Sequence, residues 1–199
     1  FDSSLLSPAA TVTLAGTALP TVTTEITINA AGVTVDGDAT SRLFAVGAGG
    51  VLTLRRMTLA NGFNSVTGGA VNVEQGQLTI MDSTLKGNAS NFGGAIYVFN
   101  SNVAFINSTL SGNSATTSGG GIWANGATVS LLQTTFSGNS SASGGGLLNV
   151  ESTFTLTNSV VANSIGGGAD CRNFDGSFTL LGVNLIENQG DCGIPGGMD

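Results

Sequence analysis

The sequence predicts an all-β protein: a right-handed parallel β-helix of about seven coils with three short strands per coil. Three observations carry this. A block recurs at a fixed spacing, apolar residues alternate at period 2 inside each block, and Gly, Asn or Ser bounds every run. Gly68-Gly69-Ala70-Val71 returns as Gly93-Gly94-Ala95-Ile96, Gly119-Gly120-Gly121-Ile122 and Gly144-Gly145-Gly146-Leu147, in steps of 25, 26 and 25 residues.

Two further registers run in phase with the glycine block. One passes through Leu52-Thr53-Leu54, Leu78-Thr79-Ile80, Val103-Ala104-Phe105, Val129-Ser130-Leu131, Phe154-Thr155-Leu156 and Phe178-Thr179-Leu180. The other passes through Leu59, Leu85, Leu110, Phe136, Val161 and Ile186, trailed by Asn88, Asn113, Asn139, Asn163 and Asn188. Alternation at period 2 means strands. Strands that recur in the same order pair best with their own copies one coil on, parallel and in register. A helix is excluded, because Gly-Gly pairs and β-branched runs break any 3.6-residue stripe.

The inward residues follow from the alternation. They are Val71 and Val73, Ile96 and Val98, and Ile122 and Ala124 on the first strand. On the second they are Leu78 and Ile80, Val103 and Phe105, and Val129 and Leu131. The five asparagines are expected to stack as a corner ladder, since Asn bonds its own kind and tolerates left-handed backbone. The Gly pairs suit a tight corner. Arg56, Asp82, Asn107, Gln133 and Asn158 form another column, in which Arg56 and Asp82 are expected to pair. The chain divides into irregular opening coils over 1–50, regular coils of about 25 residues over 51–165, and a last coil with a disulfide-bounded cap over 166–199, all one domain. Val12 to Leu14, Ile26 to Ile28, Val33 to Val35 and Leu43 to Val46 are the opening strands.

Composition narrows the function. Charged residues are only 9%, the net charge is −7 and just five residues are basic, which argues against nucleic acid. No run of 18 apolar residues exists, so no transmembrane helix is expected. Abundant Thr, Ser and Asn with scarce Lys suits a secreted or cell-surface bacterial protein, and a start at Phe1 reads as a processed segment. Cys171 and Cys192 are expected to pair, closing a loop of about 20 residues worth roughly 3 kcal/mol.

At this point the residues resemble a known group. Gly-Gly-Ala-Ile at 93–96 with Phe-Ser-Gly-Asn at 136–139 is similar to the repeats of chlamydial polymorphic outer-membrane proteins. The stretch from Asn107 to Ser114, followed by 119–123, more closely resembles bacterial surface β-helix proteins that carry a CSLREA segment. The tail around Cys171, the run 181–186 and Cys192 also resembles theirs, as does the opening from Val33 to Val46. The CSLREA segment itself is not among these residues. The resemblance implies extracellular placement, surface display or adhesion, and no assigned catalytic residues.

The residues themselves offer no catalytic set. Polysaccharide enzymes on β-helices need paired carboxylates, a Ca²⁺ cluster with a base, or His–Asp chemistry. This chain has no His, and Asp36-Gly37-Asp38 reads as a turn. No cofactor is expected, with one weak Ca²⁺ candidate at Asp170, Asp175 and Asp191. The outward aromatic group is the interface candidate: Tyr97, Phe99, Trp123, Leu148 and Val150 on one face, with Met81, Ile106 and Leu132 as a second apolar column. Outward Thr34, Thr53, Thr79, Thr155 and Thr179 suggest an ice-binding face only weakly, because Ala104 and Ser130 interrupt them.

The expectation is therefore a non-catalytic, adhesin-like structural module. Its partners would be further copies, other surface proteins or glycans. The alternatives are a self-assembling filament subunit and a carbohydrate-binding or polysaccharide-cleaving protein.

Overall fold

The computed structural model describes residues 10–166, 169–190 and 192–194. Among them every regular element is a strand, and the chain winds as a right-handed parallel β-helix with three main faces. Face I stacks Phe44–Val46, Val71–Glu74, Ile96–Phe99, Ile122–Asn125, Leu147–Val150 and Cys171–Phe174. Face II stacks Glu25–Asn29, Val51–Arg55, Gln77–Met81, Asn102–Ile106, Thr128–Leu132, Thr153–Thr157 and Ser177–Leu181. Face III runs from Thr11–Thr13 through Thr34–Asp36, Thr58–Ala60, Thr84–Lys86, Thr109–Ser111, Thr135–Ser137 and Val160–Ala162 to Leu185–Ile186. A short fourth ladder pairs Ala89–Phe92 with Ser114–Ser118 beside face I.

Register follows from what must be buried. Val103 and Phe105 lie over Val129 and Leu131, and Leu110 over Phe136, all at most 3% exposed. A one-residue slip would send these columns to solvent, so the pairing is strongly specified. Volumes are matched across the coil as well. The coil that carries Phe136 has Gly121 where the preceding coil has Ala95, and a Cβ at 121 would sit 2.9 Å from the Phe136 ring.

The corner between faces II and III uses the same device in each regular coil, a left-handed residue followed by a buried one. Arg56, Asp82, Asn107, Gln133 and Asn158 all have φ between 47° and 53°. The next residues are Met57, Ser83, Ser108, Thr134 and Ser159. The serine hydroxyls among them cap the corner amides of the previous coil: Met57 N–H donates to Ser83 Oγ, Ser83 N–H to Ser108 Oγ, and Thr134 N–H to Ser159 Oγ. Ser101 and Ser152 do the same for Gly76 and Ala127 at the next corner. These serine ladders satisfy backbone donors that strand pairing leaves over. The expected Arg56–Asp82 pair does not form. Arg56 turns to Asn29 Oδ1 at 2.8 Å, and Asp82 accepts from Asn107 at 2.8 Å, because each left-handed corner aims its side chain at a different neighbour.

The asparagine ladder is shorter than expected. Asn88 Nδ2 donates to Asn113 Oδ1, and Asn113 Nδ2 to Asn139 Oδ1, both at 2.9 Å, and all three residues are at most 1% exposed. Asn163 and Asn188 do not join it. Asn163 is exposed, has φ 58° and takes the seat held by Gly87, Gly112 and Gly138, one residue earlier. Asn188 lies opposite it one coil on. The ladder seat itself passes to Ser164, whose N–H donates to Asp170 Oδ1, while Asn188 N–H donates to Asp170 Oδ2.

A disulfide closes the last coil. Cys171 and Cys192 are bonded, with Cα atoms 5.2 Å apart and both residues fully buried. Cys171 continues the inward column of Phe44, Val71, Ile96, Ile122 and Leu147, so Cys192 fills the place of the next rung's side chain. Residues 1–9 lie outside the described part, and so does the opening expected at Phe1.

Candidate functional site

Face I alternates strictly, so its outward columns are set by the inward ones. The first outward column reads Ala45, Asn72, Tyr97, Trp123, Leu148 and Arg172. The second reads Glu74, Phe99, Asn125, Val150 and Phe174. Tyr97 and Trp123 stack flat, with ring centroids 4.5 Å apart and planes 4° apart. Phe92, from the short fourth ladder, meets Trp123 edge-on at 6.0 Å. Flat stacking is what an in-register parallel ladder imposes on two aromatic rings one rung apart.

Most of the expected apolar face is present at the surface. Phe99 is 36% exposed, while Tyr97, Trp123 and Val150 are half-buried. Leu148 is a correction, being only 2% exposed. The Gly144 corner lies against its Cβ, and Arg172 reaches back from the next rung to Ser143 Oγ, so the leucine is covered. Met81, Ile106 and Leu132 form one half-buried column, but on face II, around the corner from the aromatic group. Phe174, which sequence reasoning left out, extends face I and carries the Arg172 guanidinium 4.7 Å over its ring. The threonine column is also corrected. Thr34 belongs to face III, paired with Thr58, and Thr27 takes its place on face II, because the opening coils are shorter than the regular repeat.

A charged group borders the aromatic column on the side of Asn72. Arg42 donates from Nε to Gly68 O at 2.9 Å and from Nη2 to both oxygens of Thr67. Burial holds its guanidinium below the ordinary value, and the nearby Glu74 carboxylate offsets part of that. Burial also raises the Tyr97 phenol, and the same Glu74 charge adds to the rise. Asn72 Nδ2 donates to Glu74 Oε1 at 3.0 Å, and Asn72 Oδ1 is buried with no hydrogen-bond partner. Arg42 lies before the regular repeat, and Asn72 and Glu74 are polar residues in mostly apolar columns that also hold Arg172 and Asn125. A size break from Asn72 to Tyr97 is the signal that could have marked them.

Of the three carboxylates expected for Ca²⁺, two lie among the described residues. Asp170 is buried and already accepts two backbone N–H groups. Asp175 is an exposed corner residue with φ 56°. Asp191 lies outside the described residues. Among the described residues no group of three or more His, Cys, Asp or Glu could hold a metal ion, and no helix is long and apolar enough to cross a membrane. No protein-family model, curated protein or solved structure matches the chain.

Proposed function

We propose that this chain is a non-catalytic structural module of the bacterial cell exterior, a rigid rod that presents face I for adhesion. The observation that carries the reading is the use made of its polar side chains. Asp36 accepts from Asn61, Asp82 from Asn107, Glu187 from the Asn163 amide and Asp170 from two amides. These groups hold coil to coil, while the aromatic residues face outward from a fixed ladder. A buried disulfide supports placement in an oxidising compartment.

A second reading, axial self-association, is favoured by the apolar surface of the last coil, where Leu181, Val183 and Leu185 are at least 50% exposed. Unpaired strand edges recruit further strands.

Beads coated with the purified chain test the first reading. They should adhere to cell layers, and the Tyr97→Ser/Trp123→Ser variant should adhere less. Release of sugar ends from a polysaccharide panel would contradict the non-catalytic part. Growth of light scattering with concentration, unaffected by those substitutions, would favour the axial reading.

A further inference from the structure

We propose that the notch on face I between Asn72 and Tyr97 is a binding subsite for a neutral hexopyranose unit of a glycan. The proposal rests on the adhesion reading and names its ligand. It starts from side-chain size along one column. Ala45 and Asn72 are short, and Tyr97 and Trp123, on the next rungs, are long. Rungs are about 4.8 Å apart, so a change of size between neighbours makes a step.

Tyr97 is the riser of that step. One ring face is covered by Trp123, stacked at 4.5 Å. The parallel planes turn its other face toward the Asn72 rung. An asparagine is shorter than a phenol ring, so the outer part of this face stands clear. On the other side of Trp123 the step is filled, because Leu148 is only 2% exposed under the Gly144 corner and Arg172. A sugar therefore stacks against Tyr97 and not along the whole aromatic column. The C–H face of a pyranose is the ligand surface that suits such a wall.

The polar groups around the step suit sugar hydroxyls. Glu74 lies two residues from Asn72 on the same face and is exposed. Arg42 is anchored through Nε and Nη2 on Gly68 and Thr67, and its Nη1 makes no hydrogen bond to any described residue. A pair of opposite charges offers an acceptor and a donor and suits a neutral ligand. Asn72 supplies the observation that calls for a ligand. Its Oδ1 is a buried acceptor with no partner, its Nδ2 is fixed by Glu74, and the residue is 8% exposed. Glu74, the partner of that amide, is itself exposed and open to a ligand hydroxyl. Sites of this kind combine an apolar wall with a few placed polar groups.

The chain supplies its own reporter, because Trp123 is the only tryptophan and lies directly on Tyr97. The full chain is titrated with neutral oligosaccharides of glucose, galactose, mannose and N-acetylglucosamine, followed by Trp123 emission and by calorimetry. At least one should give a saturable change. Tyr97→Leu, which keeps apolar bulk, and Glu74→Ala should each weaken it about tenfold or more. Phe174→Ala on the distant coil should have no effect. Thermal melts of each variant separate lost binding from lost fold. No saturable binding across the panel overturns the proposal, as does binding that survives Tyr97→Leu. Beads that still adhere while the panel stays blank leave the adhesion reading standing and remove this one.

Discussion

From Asn88 to Asn139 the coils satisfy their corner N–H groups with neutral amides, whereas the coil that ends at Asn188 does so with the carboxylate of Asp170. The difference lies in what each group can pass on. A carboxamide accepts through Oδ1 and donates through Nδ2, so each asparagine serves the coil before it and is served by the coil after it. Asn113 Oδ1 accepts both the amide and the side chain of Asn88, and its own Nδ2 reaches Asn139 Oδ1 and Leu85 O. A carboxylate only accepts. Asp170 gathers two N–H groups and hands nothing onward, so the ladder stops there. The disulfide finishes the same coil by standing Cys192 where the next inward side chain would be. The repeat propagates through a group with two roles and terminates through groups with one.

The largest expected effect contrasts the two regions through their cores. Phe105 is fully buried between Ile80 and Leu131, so Phe105→Ala should cost about 3–5 kcal/mol in chemical denaturation. Phe178 is half-buried on the last coil and touches Phe154 at 5.2 Å. Phe178→Ala should cost about 1 kcal/mol, since only part of its surface leaves water. Solenoid ends open separately from the middle. Trp123 emission, a mid-rod probe, should therefore register the first change and barely the second. Equal losses at both sites would mean that the rod unfolds as a single unit.

The regular coils were legible because burial repeats. An inward position must be apolar in every coil, so Leu78, Val103, Val129 and Phe154 announce their own register. The corners were only half legible. Asn at a ladder seat and Asn at a left-handed seat look alike in sequence and differ by one residue in place. The 24-residue step from Asn139 to Asn163, against 25 and 26 before it, was the available sign. Ser83, Ser108, Thr134 and Ser159 keep steps of 25, 26 and 25, yet serine is so common near turns that the column passes for filler. The group of Arg42, Asn72 and Glu74 was not legible, because one member precedes the repeat and the others occur in one coil only.

A middle-sized effect tests the two kinds of asparagine directly. Asn113→Ala removes both side-chain roles at once: the buried Asn88 N–H loses its acceptor, and Leu85 O and Asn139 Oδ1 each lose one donor, although Asn139 Oδ1 keeps the backbone N–H of residue 113. The unpaired N–H costs about 1–3 kcal/mol and each lost hydrogen bond about 1 kcal/mol, so a total of about 2–4 kcal/mol is expected after partial relaxation. Asn163→Gly, by contrast, installs the residue that the matching seat has at Gly87, Gly112 and Gly138. It should change stability by no more than about 0.5 kcal/mol. Urea midpoints for the two variants decide. A large loss from Asn163→Gly would return that residue to the ladder.

The smallest effect is electrostatic and lies on the surface of the middle coils, where the Glu74 charge acts on Tyr97. Tyr97 is the only tyrosine, so phenolate absorbance follows one group. Its pKa is raised above the ordinary 10.0, first by burial and then by the Glu74 charge. Because the folded value exceeds the unfolded one, its contribution to stability is complete below pH 10 and is lost as pH rises through the raised folded value. Glu74→Gln removes the second cause and keeps the first. The titration midpoint should fall toward the ordinary value without reaching it, and the alkaline loss of stability should shrink with it. Arg172→Gln on the last coil should leave the midpoint in place, since the shift arises from burial and Glu74. A midpoint unmoved by Glu74→Gln would mean that burial alone sets the phenol, and that Glu74 points away from the ring on the adjacent rung.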